Sequence, residues 1–247
     1  MTFDAHPRSS LIVALDFDSL PTALKFAQKI SDLVGMFKIG SQLFSSAGPE
    51  AVKQIAALGN SIFLDLKFHD IPNTVAGAVL SSAAMPGVQL VNVHALGGTA
   101  MLEAAVQAVS AGVPMGADCT RLIAVTILTS MDHKAMREAG IAGTPLSQAV
   151  KLARLAKTCG VDGVVASVQE GKAIRKACGR EFLIVTPGVR PAEKSAGKKK
   201  DDQARTATPA QAIKAGADYI VVGRSIIAAE DPRAAAQAIV EEIASAK

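Results

Sequence analysis

Charged side chains interrupt two of the apolar runs in this sequence. Asp65 and Lys67 lie near the end of one run, with one residue between them, and Lys38 lies inside another. A buried charge is costly by itself and is tolerated when it is paired and hydrogen-bonded. A structural ion-pair network would satisfy this requirement. Several such charges at one place shift pKa values toward those useful in catalysis, which favours proton-transfer chemistry.

The spacing of Asp65 and Lys67 predicts where their side chains point. Residues two apart on an extended strand share a face, so these two side chains should lie on the same side. Their apolar neighbours predict that this side is the protein interior. Lys38 on a neighbouring strand could join them there in an alternating lysine–aspartate network.

A second group of residues has the chemistry of an anion site. Residues 186–190 read Thr-Pro-Gly-Val-Arg and residues 223–225 read Gly-Arg-Ser, each directly after an apolar run. Glycine lets backbone N–H groups approach an anion, and arginine can bind it with two donors. Either segment alone is common in loops, but together they predict a phosphorylated ligand.

Eight short apolar runs alternate with longer, alanine-rich segments of helical period. Continuously apolar runs are typical of parallel strands buried on both faces. The predicted strands are Leu11–Leu15, Met36–Ile39, Ser61–Leu66, Leu90–Val93, Leu122–Thr126, Gly163–Ala166, Phe182–Val185 and Tyr219–Val222. The helical segments include Pro21–Val34, Glu50–Leu58, Thr99–Ala111, Pro145–Cys159, Pro209–Ala215 and a last helix capped by Asp231.

This alternation predicts an α/β fold, a single (β/α)₈ TIM barrel, with one domain over residues 1–247 because no linker is visible. A doubly wound open sheet is the alternative. It usually has fewer strands and often a glycine-rich turn after the first, where this chain has Asp16-Phe17-Asp18.

The active site of a barrel lies at the carboxyl ends of its strands, and loops after strands 7 and 8 often hold a phosphate. Polar residues at these ends should therefore meet: Asp16, Lys38, Asp65, Lys67, Asn92, His94, Thr129, Ser130, Arg190, Gly223 and Arg224.

The composition is that of a globular protein, with 49% hydrophobic and 19% charged residues. The formal net charge of +4 favours anionic ligands only weakly. The run Lys198–Lys200 is interpreted as a solvated loop rather than a nucleic-acid patch. Three cysteines without metal-ligand spacing predict free thiols in a reducing compartment. We find no apolar leader and no run of about 18 apolar residues, so we expect a cytoplasmic protein without a membrane span.

The segment 65–74 reads Asp-Leu-Lys-Phe-His-Asp-Ile-Pro-Asn-Thr. It resembles the D-x-K-x-x-D signature of orotidine 5′-monophosphate decarboxylases, and the Ile-Pro-Asn-Thr is typical of the bacterial members. One such match would be weak, but further matches run in order along nearly the whole chain. They are Ala14-Leu15-Asp16, Phe37-Lys38-Ile39-Gly40, Val91-Asn92-Val93-His94-Ala95, Leu128-Thr129-Ser130-Met131, Thr186-Pro187-Gly188-Val189-Arg190 and Val222-Gly223-Arg224-Ser225.

The resemblance implies decarboxylation of orotidine 5′-monophosphate to uridine 5′-monophosphate in pyrimidine biosynthesis, with no metal or organic cofactor. It implies that Lys67 is the proton donor to pyrimidine C6 and that Asp65 stands beside the substrate carboxylate. Lys38 would complete the charged array and contact the ribose. Asp70 would belong to the catalytic group, and it and Thr74 would reach into the partner's site in a homodimer.

The same resemblance implies the remaining substrate contacts. Asp16 is expected to bind a ribose hydroxyl, and Thr129 and Ser130 to contact the pyrimidine. The implied phosphate ligands are Arg190, Gln203, Gly223 and Arg224. Gln203 belongs to a loop over residues 190–208 that is expected to close over the phosphate. The stretch before it is longer than in close relatives, which is the one departure from the family pattern.

Three other classes share part of this pattern. A metal-dependent decarboxylase or a sugar-phosphate aldolase with the same third-strand signature is expected to carry a glutamate near the end of strand 2, where this chain has Lys38. A phosphate-barrel isomerase would share the anion site without needing the Asp65, Lys67 and Asp70 cluster. A binding protein that docks the lysine run on nucleic acid or membrane is disfavoured by the buried charges.

Overall fold

The computed structural model describes residues 6–112, 120–191 and 207–247. Eight parallel strands pair in chain order and close into a barrel, since β8 pairs with β1. This confirms the predicted (β/α)₈ barrel and excludes the open sheet. The strands are β1 Leu11–Ala14, β2 Met36–Gly40, β3 Ser61–Phe68, β4 Val88–His94, β5 Arg121–Val125, β6 Gly163–Val165, β7 Leu183–Thr186 and β8 Tyr219–Val222.

Helices link successive strands and cover the outside of the barrel. They are α1 Leu20–Ile30, α2 Ser41–Ala47, α3 Pro49–Ala56, α4 Pro72–Ala83, α5 Gly98–Gly112, α6 His133–Glu138, α7 Pro145–Thr158, α8 Val168–Cys178, α9 Pro209–Lys214, α10 Arg224–Ile227 and α11 Pro232–Ala246. Helix α11 begins as predicted, because the Asp231 carboxylate accepts hydrogen bonds from the N–H groups of Arg233 and Ala234.

Apolar side chains pack on both sides of the cylinder of strands. The larger cluster lies between strands and helices, and a smaller one fills the barrel interior with residues such as Ile12, Met36, Phe63, Leu90 and Ile123. Side chains alternate along a strand, so positions two residues further on also face inward. On β2, β3 and β4 these positions hold Lys38, Asp65 and Asn92. The barrel interior therefore changes from apolar to polar toward the strand ends.

Strand β3 departs from regular pairing at its end. Leu64 pairs with Val91 and Phe68 pairs with Val93, so residues 65, 66 and 67 of β3 all face the single Asn92 of β4. Bulges bend a strand and re-aim its side chains, often next to an active site. This bulge directs the end of β3 at the mouth of the barrel.

Two smaller sequence expectations can be compared with the structure. Cys159 and Cys178 are buried and form no disulfide, whereas Cys119 lies outside the described residues. Within the ranges described, none of the helices is both long enough and apolar enough to cross a membrane.

Candidate active site

Four charged side chains form a continuous line across the ends of β1, β2 and β3. The Lys38 ammonium lies 3.2 Å from Asp16 Oδ1 and 3.3 Å from Asp65 Oδ2. The Lys67 ammonium lies 2.6 Å from the other oxygen of Asp65. The structure thus brings together the lysines and aspartates that the sequence analysis singled out, and their charges alternate along the line.

Exposure increases toward the ends of this line. The side chains of Asp65 and Lys38 are 10% and 11% exposed, whereas those of Lys67 and Asp16 are 39% and 50% exposed. The central pair is therefore shielded from water, and its interactions are stronger than those of a surface pair. The two outer groups, Asp16 and Lys67, are accessible to a ligand.

The pKa of Asp65 reflects two opposing effects. Burial alone would raise the pKa of this carboxyl, because desolvation penalises the charged form. The positive charges of Lys38 and Lys67, together with hydrogen bonds from Lys67 and Asn92, outweigh burial and hold the pKa below its usual value. Asp65 is therefore a carboxylate at neutral pH.

Asn92 is fully buried and contacts both ends of the β3 bulge. Its amide nitrogen donates to Asp65 Oδ1 at 2.7 Å, and its amide oxygen accepts from the backbone N–H of Lys67 at 2.8 Å. The sequence analysis placed Asn92 among the polar strand ends but assigned it no role. The feature of the sequence that could have indicated this role is an amide side chain within the apolar run Leu90–Val93.

The extended backbone expected at Lys67 is wrong. Its φ is 51°, the one positive value among the non-glycine residues that the structure describes. This left-handed conformation costs an L-residue about 1–2 kcal/mol. The side chains of Asp65 and Lys67 still converge, but they do so because of the bulge and not because of a regular strand pleat.

A cavity of about 290 Å³ opens beside the charged line. It is lined by all four charged residues and by Thr129, which follows β5. Ser130 is exposed and does not line the cavity, so the structure separates these two predicted pyrimidine contacts.

The predicted anion-binding residues line the same cavity. They are Gly188, Arg190, Gly223 and Arg224. The Arg190 N–H donates to the carbonyl of Ala207 at 2.9 Å, and the Ala207 N–H donates to the carbonyl of Gly188 at 3.3 Å. These two backbone hydrogen bonds therefore connect the chain before residue 192 to the chain after residue 206, beside the cavity. Gln203 and the Lys198–Lys200 run lie outside the described residues.

Asp70 and Thr74 are the predicted site residues that do not reach this cavity. Both are exposed, at the end of the β3 loop and the start of α4. The Asp70 carboxylate accepts a hydrogen bond of 2.6 Å from the N–H of Ile71. Neither residue lines the cavity of its own chain.

Gly40 gives the Lys38 ammonium the space that it occupies. A β-carbon at this position would lie 2.9 Å from Lys38 Nζ and 3.5 Å from Asp16 Oδ1. The sequence analysis quoted Gly40 as part of a motif without giving it a function. Sequence alone could not identify this role, because the close approach depends on the direction in which Lys38 crosses the barrel.

His94 lies next to the charged line without adding to its charge. Burial, together with the neighbouring His69 and Lys67, lowers its pKa to about 4. The rings of His69 and His94 stack with centroids 5.3 Å apart. His94 Nδ1 accepts from the Leu96 N–H at 3.4 Å, as a neutral ring can. These contacts support a structural role for His94.

A barrel with buried charges at the carboxyl ends of its strands has the architecture of an enzyme. Residues 9–239 match the model of the orotidine 5′-phosphate decarboxylase / HUMPS family. The chain is 51% identical over 243 residues to a protein of Geotalea daltonii named orotidine 5′-phosphate decarboxylase, covering 98% of this chain and 99% of that one. A relative from Moorella thermoacetica with the same name is 49% identical, covering 98% and 95%.

Solved structures agree with this relationship. The crystal structure of orotidine 5′-phosphate decarboxylase from Lactobacillus acidophilus is similar with a TM-score of 0.83 and 40% identity, covering 94% of this chain and 98% of that chain. The enzyme of the same name from Pyrococcus horikoshii has a TM-score of 0.73 and 26% identity, covering 95% and 99%. This chain belongs to the orotidine 5′-phosphate decarboxylase / HUMPS family, and the names of its relatives identify it as a carboxy-lyase.

We predict that Gly40→Ala lowers activity with little loss of stability. The added methyl group would push aside the end of a flexible lysine, so the fold can adapt while Lys38 moves away from Asp65. We expect kcat/KM to fall by on the order of 10-fold, with the thermal midpoint nearly unchanged. The same substitution added to Lys38→Ala should change activity little, since it acts through the missing ammonium. Additive losses would contradict this explanation.

We predict that His94 makes the protein less stable as the pH falls. Between the ordinary value of 6.5 and about 4, His94 binds a proton in the unfolded chain but not in the folded chain. The free energy of unfolding should therefore decrease as the pH falls through this window. Urea unfolding at several pH values should show a smaller decrease for His94→Gln. The exposed His133→Gln is the control, and equal pH dependence in both variants would refute the prediction.

Proposed function

We propose that this protein decarboxylates orotidine 5′-monophosphate to uridine 5′-monophosphate in pyrimidine biosynthesis. One observation carries the proposal: the Asp16–Lys38–Asp65–Lys67 line borders a cavity that Arg190 and Arg224 also line. A nucleotide carries a reacting ring at one end and a phosphate at the other, so it has one group for the charged line and one for the arginines. The names of the relatives supply the substrate.

Lys67 is the proposed proton donor. Loss of carbon dioxide from C6 of the pyrimidine leaves an electron pair in the plane of the ring, where the ring offers no conventional electron sink. A positioned ammonium group stabilises this developing negative charge and then transfers its proton to C6. The partly exposed Lys67 ammonium beside Asp65 suits both steps.

Asp65 and Lys38 keep the site preorganised. Asp65 holds the Lys67 ammonium in place through an ion pair of 2.6 Å. Its proposed place is beside the substrate carboxylate. Lys38 neutralises Asp65 from the other side and, with Asp16, is proposed to bind the ribose hydroxyls. Since Lys67 can both stabilise the developing charge and supply the proton, the proposed chemistry needs no metal or organic cofactor.

The phosphate is proposed to bind where Arg190, Gly223 and Arg224 line the cavity. Arg190 and Arg224 can each offer two N–H donors, and Gly223 lets the backbone come close to an anion. Binding energy from this remote group orients the ring, so it raises kcat as well as affinity. Gln203 remains a predicted phosphate ligand. Thr129 is the proposed pyrimidine contact that the cavity lining supports, and Ser130 remains a prediction without that support.

We propose that the protein acts as a homodimer with shared sites. Asp70 and Thr74 are exposed, and so are the large apolar side chains of Ile71 between them at 66%, Leu80 further along α4 at 43% and Leu96 after β4 at 42% exposure. Exposed apolar patches of this kind mark interaction surfaces. A second copy on this surface would cover the apolar side chains and could bring Asp70 and Thr74 to its own cavity. The predicted cytoplasmic location remains a prediction.

A variant of Lys67 tests the proposed proton donor directly. We expect Lys67→Ala to lower kcat by on the order of 1000-fold or more, because both charge stabilisation and proton delivery are lost. Binding of uridine 5′-monophosphate should largely survive. The measurement is the loss of orotidine 5′-monophosphate absorbance in chelator-treated buffer. Lys134→Ala, which removes an exposed charge far along the chain, is the control. Near-normal turnover by Lys67→Ala would remove Lys67 from its role.

A mixture of two variants tests the shared site. Equal amounts of Lys67→Ala and Asp70→Ala subunits, allowed to exchange, should recover about one quarter of wild-type activity. Half of the dimers are then hybrids, and each hybrid rebuilds one intact site. Lys67→Ala mixed with Asp65→Ala is the matched control, because both changes affect the same chain's contribution and no site is restored. If the first mixture stays as inactive as the control, Asp70 does not act across an interface.

A further inference from the structure

The bulge in β3 leaves Asn92 facing three residues instead of one. The backbone N–H of Lys67 is bound by the Asn92 side chain at 2.8 Å, so an amide takes the place of a strand-to-strand hydrogen bond. The other end of the same amide donates to Asp65 at 2.7 Å. Asn92 is fully buried, so water cannot substitute for either contact.

We infer that Asn92 is a positioning residue that sets the separation of the Asp65 carboxylate and the Lys67 ammonium. It holds Asp65 by its side chain and Lys67 by its backbone, at the one non-glycine residue with positive φ in the described ranges. This inference rests on the proposed function, in which Lys67 delivers the proton. It adds a residue on β4 to a site whose charged groups come from β1, β2 and β3.

The chemistry of the side chain fits this task closely. The position needs one donor toward a carboxylate and one acceptor toward a backbone N–H at the same time, and a primary amide offers both. Aspartate at this length would keep the acceptor but set a second carboxylate against Asp65. Leucine has nearly the same shape and would lose both contacts. These two substitutions therefore separate the shape of Asn92 from its hydrogen bonds.

The effect of Asn92 on the reaction would come through geometry. A residue with a left-handed backbone relaxes easily when its support is removed. Relaxation at Lys67 would carry its ammonium, now 2.6 Å from Asp65, away from the reacting carbon. A displacement of about 1 Å can cost on the order of 100-fold in rate. The contacts of Asn92 include none of the proposed phosphate ligands, so substrate affinity should change much less.

The test compares Asn92→Leu, Asn92→Asp and a control in the purified full-length protein. Thr120→Val is the control, since it also deletes a buried hydrogen bond, from Thr120 to the carbonyl of Val88 at 2.8 Å, but at the opposite end of the barrel. We expect Asn92→Leu to lower kcat by on the order of 100-fold while KM changes by less than about threefold. Thr120→Val should lose comparable thermal stability and keep its kcat.

The pH profile gives a second measure that a merely structural residue would not change. Asp65 is faced by Lys38 from β2, by Lys67 from β3 and by Asn92 from β4, with Asp16 beyond Lys38 and His94 beyond Lys67. Removing the donor raises the pKa of Asp65, so the acid limb of kcat/KM should move toward neutral pH. Asn92→Asp should move it further, because two adjacent carboxylates resist ionisation together.

Each outcome decides the inference. If folded Asn92→Leu keeps kcat within about twofold of wild type while Lys67→Ala is inactive, Asn92 does not position the site. If Asn92→Leu does not fold, the nearly isosteric Asn92→Asp is judged by the same criterion. A loss of kcat in Asn92→Leu that merely follows its folded fraction, or that Thr120→Val shows to the same extent, also overturns the inference. Near-normal activity in Lys67→Ala would instead refute the proposed role of Lys67, and no turnover of orotidine 5′-monophosphate by the wild-type protein would refute the proposed function.

Discussion

The rest of the site depends on the contacts that satisfy the buried Asp65 carboxylate. One of its oxygens accepts from Lys67 and Asn92, and the other faces Lys38. A carboxylate this deeply buried is stable only when its partners satisfy both oxygens, and breaking one such contact leaves an uncompensated charge. Three strands must therefore stay in register around one residue. The closed barrel provides that rigidity, because its strands cannot slide without breaking the ladder on both sides.

The barrel separates two tasks along its axis. Its interior is apolar near the strand beginnings, where Ile12, Met36, Phe63 and Leu90 pack together. It becomes charged only at the last inward-facing layer, next to the cavity. The apolar layer contributes stability through burial. The charged layer can then hold groups that would destabilise a smaller protein, such as two lysines near one carboxylate and a left-handed backbone at Lys67.

Much of this arrangement could be predicted from sequence because it is local. Eight apolar runs predicted eight strands, since burial on both faces requires continuous hydrophobicity. Lys38, Asp65 and Lys67 stood out because each interrupts such a run. The residues proposed to bind an anion were predicted from their place after strands 7 and 8, and the structure brings Arg190, Gly223 and Arg224 to one cavity. Asp70 and Thr74 are proposed to act in a partner's site, and within a single chain they lie outside the cavity.

The sequence by itself determined the order of the elements and the identity of the charged residues, since hydrophobic periodicity and residue type are properties of short segments. Only the tertiary structure decided how those residues meet. The bulge opposite Asn92 arises from pairing between β3 and β4, which are separated in the chain by α4. The space beside Gly40 exists only because Lys38 crosses the barrel toward Asp65. Both are long-range contacts, and no local pattern encodes which backbone atom a distant side chain will reach.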